Sequence, residues 1–291
     1  MAMMSIVDED GSMTWTSDGV ELFRYTYRPD VPAFECPSPS FHPLRTLDGD
    51  VVTGNRPHDH RWHKGIQLTA SHVSGQNFWG GGSYVRDQGY VDLPNVGVMR
   101  HKEFAEVSGG RITERLTWHT QAGEHWVDEL RELTVRDVEH DSWALDFATS
   151  LTNVRGEALE FGSPTTNGRP AAGYSGLFWR GPRAFTDGRI MAADGQDGPE
   201  MMGRPARWLA YSATHDEVDR SSTLLFFDDP DQGGEWFVRS TPFAAVNPSL
   251  AFAEERVLLP GGTLRLRYRI VIADGTWDRE RLETYAKEHP R

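Results

Sequence analysis

The sequence predicts an all-β protein: an antiparallel sandwich or barrel with one short helix at its C-terminal end. Three observations carry this. Runs of β-forming residues recur along the chain with period-2 alternation, which buries one face of a strand and wets the other. Gly- or Asp-containing breaks separate the runs, as hairpin connections require. Only one segment has the composition and spacing of a helix.

The strands follow in order. Gly19–Tyr27 is rich in β formers (Val20, Leu22, Phe23, Tyr25, Tyr27). Val96–Arg100 leads to His101 in a strand-like run. Arg111–Thr120 alternates through Ile112, Leu116 and Trp118, and Leu130–Arg136 continues the pattern. Ala144–Val154, Ser222–Phe227 and Leu264–Ile272 complete the set. The helix covers Asp278–Glu288, with Leu282, Tyr285 and Ala286 on one side and Pro290 ending it. Residues 155–205 are irregular and rich in Gly, Pro and Arg, so a long loop system over a binding face is expected there. Gly80-Gly81-Gly82 and Gly261-Gly262 read as turns. No repeat or linker divides the chain, and residues 1–291 are read as one domain.

Composition narrows the function. With 291 residues, 38% of them hydrophobic, the chain supports a sizeable core. Its 43 acidic against 30 basic residues give a net charge of −13. That balance argues against a nucleic-acid or anionic-membrane partner. Cys36 is the single cysteine, so no intrachain disulfide can form. The acidic N-terminal segment does not read as a secretory signal, and no stretch approaches the ~20 apolar residues of a membrane helix. The expectation is a cytoplasmic protein acting on a small molecule, with a homo-oligomer left open.

The densest chemistry lies in residues 53–84. Four of eleven histidines, His58, His60, His63 and His72, fall within fifteen residues, followed by Asn77-Phe78-Trp79. Imidazole exchanges protons near neutral pH and is a common metal ligand. If residues 58–60 are extended, His58 and His60 project to the same side. With His63 or His72 they could then hold a divalent metal such as zinc. Acid–base work on a sugar needs no metal, and His60, His63, His72 and His101 are the candidates, with Asp59, Glu129 and Glu254 as carboxylates. Glu129 has a plainer alternative in an ion pair with Arg131. The histidines themselves have one too, as hydrogen-bonded loop residues that tie strands together. Asn77 offers an amide to a sugar hydroxyl, and Trp79 and Trp179 offer stacking faces. Arg180 and Arg239 offer planar forks.

The run His58-Asp59-His60-Arg61-Trp62-His63-Lys64-Gly65, with Asn77-Phe78-Trp79, Gly176-Leu177-Phe178-Trp179-Arg180 and Leu266-Arg267-Tyr268-Arg269, resembles the bacterial family labelled PmoA-like. The resemblance covers roughly residues 20–285. The label borrows from a membrane-bound methane monooxygenase subunit, an activity that a chain without an apolar span does not support. The resemblance implies a β-supersandwich similar to galactose mutarotases and a link to sugar catabolism. Ala245-Val246-Asn247-Pro248 and Leu258-Leu259-Pro260-Gly261-Gly262 look like the last mutarotase strands. Mutarotases place a catalytic Glu nearby, whereas Val238-Arg239 stand here and the preceding Glu is Glu235.

Three functions stay open on these residues. The first is His-based acid/base chemistry on a sugar or keto-sugar, as in an epimerase, mutarotase or lyase. The second is a metal-dependent hydrolase or lyase using His58, His60 and His63. The third is a noncatalytic sugar-binding or regulatory protein.

Overall fold

A computed structural model describes residues 3–229, 231 and 234–290, so Met1 and Ala2 of the N-terminal segment lie outside it. Among the described residues, strands form a twelve-stranded sheet, an eight-stranded sheet and a two-stranded hairpin, Ser83–Val85 with Gly89–Val91. Every strand pairing is antiparallel. The chain is therefore all-β with one C-terminal α-helix, Arg279–Glu288.

The two large sheets pack face to face, and aromatic side chains fill the space between them. Phe23 and Trp143 stack at 5.9 Å, Phe78 meets Trp118 at 5.1 Å, and Trp179 meets Phe226 at 5.6 Å. Antiparallel sheets usually leave their second face to water. Here both sheets cover much of it. Along Ser221–Phe227, Leu224 and Phe226 enter the space between the sheets, while Leu225 and Phe227 join a second cluster on the outer side. Leu282 and Tyr285 of the helix close that cluster. The helix starts at Asp278, whose carboxylate accepts from the backbone N–H of Arg281 at 2.9 Å.

The loop reading of residues 155–205 holds only in part. Ser175–Arg180 is a strand of the larger sheet, paired to Ile66–Val73 and to Ala245–Pro248. All six of its residues are buried. A strand covered on both faces reads as a continuous apolar run rather than an alternation, which hid it.

One polar network interrupts the core. Arg131 donates to Glu129 at 2.7 Å and to the Tyr25 hydroxyl at 2.9 Å. Tyr25 donates to Glu114, which also meets His101 Nδ1 at 2.7 Å. Trp118 and Thr149 donate to Glu129 at 2.7 and 2.9 Å. Tyr25 comes from the larger sheet and the rest from strands of the smaller one, so the network crosses the sandwich. Burial, the largest influence on the Tyr25 phenol, together with the Glu114 and Glu129 charges, raises its pKa well above the usual value despite Arg131. It stays neutral and able to donate. Removing one partner of a buried ion pair strands the other charge. Arg131→Met should therefore cost about 3–5 kcal/mol in urea unfolding; a loss under about 1 kcal/mol would show that the network does not hold the sheets.

Candidate functional site

Strand alternation builds the site on the outer face of the larger sheet. In Ser175–Arg180, Leu177 and Trp179 point into the sandwich core, while Phe178 joins a separate aromatic cluster. In Glu235–Arg239, Trp236 and Val238 point inward and Phe237 outward. Val246 and Ala245 split the same way. Phe178, Phe237 and Ala245, with Trp79 and Phe252, thus form an apolar cluster, and Trp79, Phe178 and Phe237 of it form an apolar floor. Above it lies a cavity of about 490 Å³, lined by His60, Trp62, His63, Trp79, Tyr174 and Phe243 among others.

The histidine-rich loop is held from below. Arg56 makes a bidentate pair with Glu35 at 2.7 and 2.9 Å. Lys64 is buried and donates to the carbonyls of Glu35 and Cys36 at 3.0 and 2.7 Å. Burial lowers its ammonium pKa to about 8. Between these anchors the chain makes two consecutive turns, His60 N–H to Pro57 C=O and His63 N–H to His60 C=O. Gly81 has φ +70°, and a Cβ there would lie 2.7 Å from the Trp62 ring. Glycine at that position therefore lets the indole rest on the backbone.

The arginine fixes the chemistry of His63. Arg180 Nη1 lies 3.0 Å from His63 Nδ1, and a guanidinium has no acceptor. His63 Nδ1 must accept, so the neutral ring carries its proton on Nε2. Burial, helped by the charges of Arg180 and His60, holds the His63 pKa well below the usual histidine value. Burial likewise lowers Arg180, to about 10. Its guanidinium sits 3.8 Å from the centre of the Phe243 ring. His60 is half-exposed, with its ring 4.8 Å from that of His63. Its Nδ1 is 3.2 Å from an Asp59 carboxylate oxygen without being aligned for a hydrogen bond. Burial pushes the Asp59 carboxyl up, but its own backbone N–H, His60 and Arg180 outweigh this and leave its pKa lowered.

The expected site residues divide sharply. His60, His63, Trp79 and Arg239 line the cavity, and Arg180 supports it through His63. Asn77 also borders it, but its amide is committed to the loop. Its oxygen accepts from Trp79 and Gly80 N–H, and its nitrogen donates to the Gly81 carbonyl and Ser83. Trp179 is a core residue whose indole donates to the Val52 carbonyl at 2.8 Å. Neighbours in a regular strand face opposite ways, so Trp179 and Arg180 do not share a cavity.

His101 and Glu129 belong to the network inside the sandwich and not to the cavity. For Glu129 the ion pair with Arg131 is what forms. His72 does not line the cavity either; it lies near Glu160 and Glu255, within the register shift between Ala70 and Val73. His58 is exposed on the turn. The proposed metal set of His58, His60 and His63 does not assemble, since residues 58–63 turn instead of extending. Among the described residues no three His, Cys, Asp or Glu side chains are grouped to hold a metal. The sequence reading missed Phe178 and Phe237, although two-residue spacing from Arg180 and Arg239 marks them. It also missed Tyr90, Arg169 and Tyr174, which come from three segments with no local signature.

The family model of DUF6807, a family of unknown function, matches residues 12–287, and the chain belongs to that family. A comparison with curated protein sequences finds no match. Among solved structures, a presumptive aldose 1-epimerase from Escherichia coli K12 is similar over 94% of this chain and 99% of its own, at 14% identity and TM-score 0.43. A GalM/aldose epimerase homologue from C. elegans is similar over 96% and 100%, at 8% identity and TM-score 0.30. A polysaccharide lyase is similar over 97% of this chain and 34% of its own, at 11% identity and TM-score 0.36.

Several histidines, His63, His72 and His42 among them, have pKa values lowered by burial, that of His42 to about 4. The unfolded chain, with histidine near 6.5, binds more protons below that pH than the folded one. Stability should be whole above about pH 6.5 and fall as pH drops toward 5, by at most about 1.4 kcal/mol per pH unit for each group. Thermal midpoints from pH 8 to 5 should show this decline, and His63→Gln should reduce its slope. An unchanged slope in that variant would mean that His63 is not held neutral.

Proposed function

We propose that the chain is a carbohydrate-active enzyme that moves protons on a sugar or keto-sugar with His63 and His60. The observation that carries this reading is the Arg180–His63 contact. It prepares a neutral imidazole whose free N–H belongs to a ring lining an aromatic-walled cavity. A neutral imidazole N–H can polarise a carbonyl or ring oxygen without first losing a proton to solvent. His60 stands beside it and reaches water. When it takes a proton from the substrate, Asp59 stabilises the resulting cation. Indole and phenyl faces suit the C–H faces of a pyranose. Epimerisation, mutarotation and β-elimination all fit a paired donor and acceptor of this kind. The motif resemblance to the PmoA-like proteins supports the same reading, and Val238-Arg239 at the mutarotase Glu position favours imidazole over carboxylate chemistry here.

A turnover screen over aldoses and 3-keto-glycosides tests the proposal. With a substrate found, His63→Ala and His60→Ala should each lower kcat/KM by roughly 10²–10⁴-fold. Arg180→Met should lower kcat and change its pH profile, because His63 is then free to take either tautomer or to protonate. Full activity in both His→Ala variants would overturn the assignment.

A further inference from the structure

Part of the cavity lining has a chemistry that the histidines do not explain. Arg169 and Arg239 both belong to it, together with Tyr90 and Tyr174. Arg169 donates to the Tyr90 hydroxyl, and that hydroxyl is hydrogen-bonded to the hydroxyl of Tyr174. The Arg239 guanidinium lies 5.4 Å from the Phe237 ring centre. Neither arginine is ion-paired to a carboxylate among the described residues, in a chain with 43 acidic residues. Buried Arg131 is paired with Glu129 and buried Arg269 with Asp146, whereas Arg180, also buried, meets His63 instead of a carboxylate. Asp92 also borders the cavity, beside Gly82, and pairs with neither cation.

Two guanidinium groups on one cavity wall repel each other, and an oxyanion between them removes that cost. Burial first, and then the charge of Arg169, lowers the Arg239 pKa, which agrees with a cation awaiting a counter-charge. Resting on the sugar-site reading above, we propose that Arg169 and Arg239, with the Tyr90–Tyr174 hydroxyl pair, form an oxyanion subsite. The substrate is then an acidic sugar, carrying a carboxylate or a phosphate. The subsite orients this group at one end of the cavity, leaving the sugar ring over the aromatic floor beside His60 and His63.

Calorimetric titration of the full chain with glucuronate, galacturonate, glucose 6-phosphate, glucose and galactose tests this. At least one acidic probe should bind about tenfold or more tightly than its neutral parent, the advantage expected of charge-assisted hydrogen bonds. Uronates against the phosphate identify which oxyanion fits. Arg239→Gln and Arg169→Gln should each reduce the ratio of acidic-probe to neutral-parent affinity, with Arg239→Lys retaining part of it. Thermal midpoints establish that the variants are folded. Equal affinity for acid and neutral sugars, no binding of any acidic probe, or an advantage that survives in the double Gln variant would each overturn the subsite. The catalytic reading fails separately, if acids bind through these arginines and no sugar is turned over.

Discussion

The period-2 geometry of the larger sheet is the constraint on which both core and cavity depend. Each strand crossing its centre has two faces to satisfy, and both are covered. Leu177, Trp179, Trp236 and Val238 join the core between the sheets, while Phe178, Phe237 and Ala245 join the aromatic cluster beneath the cavity. The core and the site therefore share a backbone. A one-residue slip of Ser175–Arg180 would bury Arg180 in the sandwich and turn Trp179 toward the cavity.

Two polar arrangements inside this fold rest on fixed partners. Arg131 sits among Glu129, Glu114 and Tyr25, with Thr149 and Trp118 satisfying the remaining oxygens. Arg180 does the corresponding work beneath the cavity, where a donor-only group sets the tautomer of His63. The first arrangement fastens two sheets together. The second leaves a neutral imidazole at a surface that a small molecule can reach. The same residue types, His and Arg, serve both purposes, and their position on one side of a strand or the other separates them.

Much of the strand content was legible from local pattern. Arg111–His119 and Ser142–Asn153 alternate, and Asp278 with Leu282 and Tyr285 marks the helix. The site was legible in part. His60, His63 and Trp79 stood out because polar aromatic residues crowd a short loop. His101 and Glu129 carry the same side chains but face the other way, into a dry layer. Trp179 was chosen for its ring, although its neighbour Arg180 already claimed the opposite face. Tyr90, Arg169 and Tyr174 come from a hairpin, a loop and a strand entry, and no spacing along the chain announces their meeting.

The amino-acid sequence by itself determined the antiparallel β architecture, the terminal helix and the loop in which titratable chemistry concentrates, because these follow from alternation, turn residues and composition over short windows. Only the tertiary structure decided which histidines share a cavity, and that Arg169 and Arg239, neither ion-paired to a carboxylate among the described residues, line it with them. Those outcomes depend on which strands become neighbours, and strand pairing joins residues more than a hundred positions apart through contacts that no local pattern encodes.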